Sequence, residues 1–264
     1  MAEKVSSLGR ATGPGKDGLR RRERDEDAVI YLLLPGMDGT GDYFAALVRS
    51  APGGVEPWVI RYPVGEVLDY SGYVDLVARS LPSEPFVLVG ESFSGPVAIR
   101  LAGRRPAGLR AVILCNTFAT NPYWRAFRFL PWELLLGLPA PGLALGYFLC
   151  GFSGMSRFAA SIRRTNRKVS ARVRASRVRE ALAVDVRSLL RELPYPILYL
   201  RGSRDRLIRE RSLRQLRETR PDTEVRRFDA PHLLLQFEPE RCWAAMEEFV
   251  AARGGVDGRE GGVR

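Results

Sequence analysis

Few residues in this chain could carry chemistry, and they are spread along its length. His232 is the only histidine among 264 residues. It lies in "FDAPHLLLQFEPE", after the last run of strand character and before the last helical one. A free imidazole, with a pKa of about 6.5, is mostly neutral at pH 7 and can accept a proton. Ser92 lies in "VGESFSG" (89–95), straight after the apolar run "FVLV". Its neighbours Gly90, Ser94 and Gly95 are small, as a strained turn presenting a nucleophile requires. Ser94 stands where a strict G-x-S-x-G has its last glycine. The same frame also fits a plain strand-to-helix turn.

Acyl transfer through serine needs an exposed hydroxyl, a base, an acid that orients the base, and two N–H groups for the oxyanion. Asp205, in "PILYLRGSRDRLI", follows a strand end and a Gly-Ser turn, within reach of an imidazole. The competing reading is a surface aspartate paired with Arg204 or Arg206. Asp185 and Asp229 are rival acids, the first within a helical pattern and the second close to His232 in sequence. The Gly-rich "LLLPGMDGTGDYF" ends the first strand. It has no G-K-[ST], and Gly36, Gly39 and Gly41 are wrongly spaced for G-x-G-x-x-G, so a phosphate cradle is disfavoured. An oxyanion loop fits better, with one N–H from Met37 and the other from Phe93.

These residues need a scaffold that brings strand ends together. Continuous apolar runs at 29–35, 56–62, 86–90, 109–116 and 196–202, with "TEVRRF" at 223–228, alternate with helical patterns at 70–81, 94–103, 209–219 and 238–253. Apolar-throughout strands predict a sheet covered on both faces. The alternation predicts parallel βαβ units, hence a doubly wound, mostly parallel α/β fold. Residues 28–117 and 182–253 are expected to form its core. Residues 118–181 interrupt the pattern as a helical lid. Val178, Leu182, Val186, Leu189 and Leu190 form a helical stripe leading back. Residues 1–27, with seven Lys/Arg and six Asp/Glu, read as a disordered leader, and 254–264 as a flexible tail.

The interruption has two halves. Positions 129–152 carry one charge, Glu133, over a length that could cross a bilayer. Pro131, Pro139 and Pro141 argue instead for short helices over the sheet. Trp124, Phe127, Phe129 and Trp132, with Tyr123, are candidates to bind an apolar acyl or alcohol group. Residues 157–180 hold nine Lys/Arg against Glu180, part of a net charge of +11. A solvated basic helix face is the first expectation. Peripheral contact with an anionic membrane through 129–180 is the next. Nucleic acid is not expected, since no binding motif accompanies the charge. Cys115, Cys150 and Cys242 lie far apart, without C-x-x-C or a Cys/His cluster. They read as buried thiols of a reducing, cytoplasmic compartment, with no metal and no cofactor.

The order Ser92, Asp205, His232, with the turn and the loop, resembles the α/β-hydrolase superfamily over about residues 28–252. The loop "LPGMDGTG" is similar to one in plastid phytyl-ester synthases and related lipid acyltransferases, where many superfamily members have His-Gly in place of Pro35-Gly36. The resemblance implies a serine hydrolase cleaving a small carboxylic ester. An acyltransferase to an alcohol and a non-catalytic binding module on the same fold are the alternatives.

Overall fold

The computed structural model describes residues 28–137 and 141–254. The sheet has six strands, β1 (Val29–Leu34), β2 (Val55–Val59), β3 (Phe86–Glu91), β4 (Leu109–Cys115), β5 (Ile197–Gly202) and β6 (Glu224–Phe228). Their order is β2-β1-β3-β4-β5-β6. Every neighbouring pair is parallel. The chain winds outward in one direction from β1 to β2 and in the other from β3 to β6. The loops after β1 and β3 therefore diverge, and a crevice opens at their C-terminal ends.

The helices are α1 (Ala45–Arg49), α2 (Tyr70–Ala78), α3 (Gly95–Gly103), α4 (Trp132–Gly137), α5 (Pro141–Lys168), α6 (Ala171–Ala183), α7 (Arg187–Glu192), α8 (Glu210–Thr219), α9 (Leu234–Phe237) and α10 (Pro239–Gly254). Alternate residues of each strand serve opposite faces. Ile30, Leu32, Phe86, Leu88, Val112 and Tyr199 pack with α2, α3, α7 and α8. Tyr31, Leu33, Val87, Val89, Ile113 and Leu200 pack with Phe44, Leu47 and the α10 residues Trp243, Met246 and Phe249. Two covered faces are why these strands read as unbroken apolar runs.

The helical insertion between β4 and β5 has a closed neck. Thr120 bridges Asp185 in antiparallel fashion, Asn121 N–H donates to Val184 O at 3.0 Å, and Val186 N–H donates to Ala119 O at 2.8 Å. That extended segment splits the expected stripe of Val178 to Leu190 between α6 and α7. Residue 181, where the lid was expected to end, falls inside α6. Pro131 precedes α4 and Pro141 opens α5, while Pro139 lies outside the described residues. Gly151, at φ 67° and ψ −178°, breaks α5 into two helical pieces. Among the described residues, no helix is long and apolar enough to cross a membrane. The leader (1–27) and the tail beyond Gly254 lie outside the described residues. All three cysteines are buried free thiols.

Candidate active site

β3 ends at Glu91, and Ser92–Ser94 form one tight 3-10 turn before α3. Ser92 has φ 50°, a left-handed conformation that costs a non-glycine residue of order 1–3 kcal/mol and persists only where the surroundings enforce it. They do so here. Thr117 Oγ1 donates to Ser92 O from the end of β4. A Cβ on Gly95 would overlap the Thr117 side chain, and one on Gly90 would lie 2.8 Å from Ser94 O and 2.9 Å from Ala98 Cβ. Ser94, in the usual glycine position, is fully buried. Its hydroxyl pairs with Tyr62 OH at 2.7 Å and donates to Pro35 O. Serine here therefore ties the turn of Ser92 to the loop after β1.

The three expected residues meet. His232 Nε2 lies 2.9 Å from Ser92 Oγ, and His232 Nδ1 lies 2.9 Å from Asp205 Oδ2. Asp205 Oδ1 accepts the backbone N–H groups of Leu207 (2.8 Å) and Ile208 (2.9 Å), which fixes the carboxylate plane. With a carboxylate on one side, the proton sits on Nδ1 and the Nε2 lone pair faces the serine hydroxyl. The partner of Asp205 among the arginines is buried Arg201 at 3.3 Å, not Arg204 or Arg206. The rival acids are engaged at the surface, Asp185 with Arg187 and Asp229 with Arg204.

Ser92, Asp205 and His232 are 6%, 6% and 2% exposed, so the site is shielded from solvent. Burial alone would lower the pKa of His232, but the charge and hydrogen bond of Asp205, with the charge of Glu91, outweigh it and raise the pKa above its ordinary value. Glu91, buried beside the turn, accepts from Gln236 Nε2 at 3.0 Å. Burial pushes its pKa up to about 7.

The loop after β1 lies directly on Ser92. A Cβ on Gly36 would be 3.7 Å from Ser92 Cβ. Met37 is half-buried against the core, and Phe93 is buried with its ring stacked on Tyr70 at 4.9 Å. Tyr70 OH donates to Phe93 O at 3.1 Å. The aromatic candidates of the insertion sit elsewhere. Trp124 and Phe129 are 71% and 76% exposed, and Phe127 is also exposed. Trp124 packs on Phe127, Arg128 lies over Phe129, and Trp132 Nε1 donates to Phe127 O at 2.7 Å. Tyr123 reaches the triad's neighbourhood, its OH donating to Leu207 O at 2.5 Å.

Two site residues escape a reading of the sequence. Asn116, at φ 42° after β4, donates to His232 O (2.9 Å) and Pro231 O (3.3 Å) and accepts from Gly202 N–H (2.9 Å). It locks the histidine loop to the ends of β4 and β5. Arg177 corrects the expectation of a solvated basic face. Arg163, Arg164, Arg167, Lys168, Arg172 and Arg179 are exposed, but Arg177 is fully buried and bonded to the loop after β1. The signal was available: Val173, Arg177 and Ala181 fall at i, i+4, i+8, on one stripe of a helix.

Known proteins agree with this architecture. The chain is 32% identical over 98 residues to phytyl ester synthase 1, chloroplastic, of Arabidopsis thaliana, a match covering 34% of this chain and 14% of that protein's length. Among solved structures, the enol-lactonase of Burkholderia xenovorans aligns at TM-score 0.72 and 17% identity, over 87% of this chain and 94% of that one. An esterase from Exiguobacterium antarcticum aligns at 0.71 and 15%, over 85% and 92%. A bacterial membrane phospholipase A aligns at 0.69 and 18%, over 88% and 81%. At these identities the likeness is one of fold. The profile of the alpha/beta hydrolase family matches residues 29–245, and the chain belongs to that family.

Proposed function

We propose that this protein is a serine hydrolase that cleaves a carboxylic ester with an apolar acyl or alcohol group. The observation that carries the reading is the 2.9 Å contact between His232 Nε2 and the Oγ of Ser92, a serine held at φ 50°. Ser92 Oγ attacks the ester carbonyl while His232 Nε2 takes its proton. Asp205 keeps the imidazole in the required tautomer and stabilises the imidazolium. The Met37 and Phe93 N–H groups receive the negative charge that builds on the carbonyl oxygen. Collapse of the tetrahedral intermediate breaks the ester C–O bond, and His232 returns the proton to the departing alcohol. Water, deprotonated by His232, then attacks the acyl-enzyme, releases the acid and regenerates Ser92.

An apolar substrate is supported by the composition of the insertion, whose residues 118–181 we read as a lid. Trp124, Phe127, Phe129 and Trp132 are the side chains that would receive an apolar chain as it approaches. The exposure of that aromatic surface, with the cations of α6 beside it, supports peripheral contact with an anionic membrane.

A second reading passes the acyl group to an alcohol instead of water. The shielding of Ser92 favours it, because a dry site slows hydrolysis. So does the likeness to a phytyl ester synthase over 98 residues.

The test is release of p-nitrophenol from esters of graded acyl length, with wild type beside Ser92→Ala. The expected outcome is loss of all release, and of fluorophosphonate labelling, in a variant whose fold is intact. Release by Ser92→Ala at the wild-type rate would sink the assignment, and absence of labelling in wild type would favour a binding module. Product analysis with a long-chain alcohol present separates ester synthesis from hydrolysis.

A further inference from the structure

We propose that Arg177 is a positioning residue for the oxyanion loop, so that α6 of the insertion is part of the apparatus that builds the transition-state site. The inference rests on the serine-hydrolase reading above. Arg177 has no exposed surface. Its Nε donates to Tyr73 OH at 2.8 Å, Nη1 to Met37 O at 2.8 Å and Asp38 O at 2.9 Å, and Nη2 to Pro63 O at 2.8 Å. None of these four acceptors is a carboxylate. A buried guanidinium whose bonds all go to neutral oxygens, with the buried Asp38 carboxylate near enough to feel its charge but bonded to Thr40 instead, is an expensive way to fill space, and well-packed apolar residues often do as well for stability alone. What the cation supplies here is direction. Its planar fork takes two consecutive carbonyls of the loop at fixed angles, which a point charge or a methyl group could not do.

The loop is shaped around this side chain. Gly39 has φ 70°, and a Cβ there would overlap the Arg177 guanidinium. Gly36 packs on Ser92, so residue 37 is held between the nucleophile on one side and the arginine on the other. Fixing Met37 O and Asp38 O sets the conformation on the C-terminal side of Met37. Contact with Ser92 sets it on the N-terminal side. The Met37 N–H is thereby pre-organised for an oxygen that carries charge only in the transition state. The tyrosines beneath add support, since the guanidinium lies 5.8 Å and 5.5 Å from the ring centres of Tyr62 and Tyr73. Tyr62 OH in turn pairs with Ser94 beside the nucleophile. One buried cation thus joins the insertion, the loops after β1 and β2, and the turn of Ser92.

The experiment compares Arg177→Met and Arg177→Lys with wild type on p-nitrophenyl butyrate. Rates are divided by the sites that fluorophosphonate titrates, so misfolded protein is not counted. Arg177→Met is expected to lower kcat by about 10²-fold, the size of a small misplacement in a catalytic site. KM should stay within about threefold, because the lost contact acts in the transition state. Affinity for a trifluoromethyl ketone, whose adduct places an oxyanion in the loop, should fall in step with kcat/KM, whereas affinity for an unreactive ether analogue should not. In Arg177→Ala, added guanidinium ion should recover part of kcat. A merely structural arginine would lower stability and leave the ketone-to-ether ratio unchanged, and that result overturns the proposal. If Arg177→Met does not fold, Arg177→Lys decides alone, since it keeps the charge but not the fork, and an unchanged kcat refutes the proposal. Full activity of Ser92→Ala would instead remove the reading on which this inference stands.

Discussion

Asp205→Asn is the sharpest test of the geometry, because the structure dictates how the new side chain must sit. Asp205 Oδ1 accepts two backbone N–H groups, from Leu207 at 2.8 Å and Ile208 at 2.9 Å. An asparagine carbonyl oxygen satisfies both, and turning the amide would aim NH2 at two donors. The NH2 therefore takes the place of Oδ2, 2.9 Å from His232 Nδ1 and 3.3 Å from Arg201 Nη1. A donor now faces Nδ1, so Nδ1 must become the acceptor and the ring proton moves to Nε2. Nε2 then has no lone pair for the Ser92 proton. The wrong tautomer at this position costs about 10⁴-fold in kcat in an enzyme with the same arrangement of groups. That is about 5.4 kcal/mol at 1.36 kcal/mol per decade. The fold should survive, since the two backbone bonds remain. The loss of the Asp205 charge should also lower the pKa of His232, moving the acidic limb of kcat/KM below its wild-type position. The assay is p-nitrophenyl ester hydrolysis over pH, with Asp229→Asn as a control of unchanged rate. A variant within about tenfold of wild type, an unmoved limb, or the loss appearing in Asp229→Asn would refute the reasoning.

The remaining predictions concern protonation, packing and surface. His232 acts as a base only when neutral, and its pKa is raised in the folded protein, so the acidic limb of wild-type kcat/KM should lie above about pH 6.5. A raised folded pKa also means that the stabilising effect of the proton on His232 is complete below about pH 6.5 and is lost as pH climbs through the folded value. Urea midpoints across that window should show this slope in Ser92→Ala and not in Ser92→Ala/His232→Gln. Gly95→Ala should lower stability by about 1–3 kcal/mol in urea unfolding, because its Cβ overlaps Thr117. Its labelling by fluorophosphonate should fall as well, and normal labelling with normal stability would contradict the account of the turn. Wild type should sediment with anionic liposomes more at low salt than at high, and Trp124→Ser/Phe129→Ser should sediment less at both. Equal sedimentation of the two proteins would refute the membrane contact.

The sequence carried some of this architecture openly and hid the rest for a physical reason. β1 and β3 were legible because both faces of the sheet are covered, which leaves an apolar run without alternation. The turn of Ser92 was legible because sterics at Gly90 and Gly95 demand small residues locally. Ser92, Asp205 and His232 were recognisable because each follows a strand end, and strand ends on one edge of a parallel sheet converge. Arg177 was obscured by its neighbours. Nine basic residues within 157–180 look alike by charge, and six of them do face water. The stripe of Val173, Arg177 and Ala181 marks Arg177 as facing inward, but what it bonds to was not legible, since the acceptors belong to residues 37, 38, 63 and 73, more than a hundred positions away. Asn116 was hidden in the same way, since its partners lie at the end of β5 and in the loop of His232.

The insertion divides into two parts with different physical character, and the division bears on how a substrate reaches Ser92. The C-terminal part is fastened to the core at several points. Lys168 pairs with Asp42 at 2.6 Å, Ser170 N–H donates to Val64 O at 3.2 Å, and Glu180 accepts from Tyr70 N–H at 2.9 Å, beside the four bonds of Arg177. Leu149 O accepts from Leu233 N–H at 3.1 Å, next to His232. Moving α6 would break buried polar contacts and disturb the loop after β1 with them. The part from Trp124 to Gly137 exposes most of its large apolar side chains and is held to α6 by contacts such as Arg174 Nη2 to Leu136 O at 3.1 Å. Access to Ser92 from the Trp124–Gly137 side would leave the bonds of Arg177 to Met37 O and Asp38 O intact, whereas access through a displaced α6 would break them.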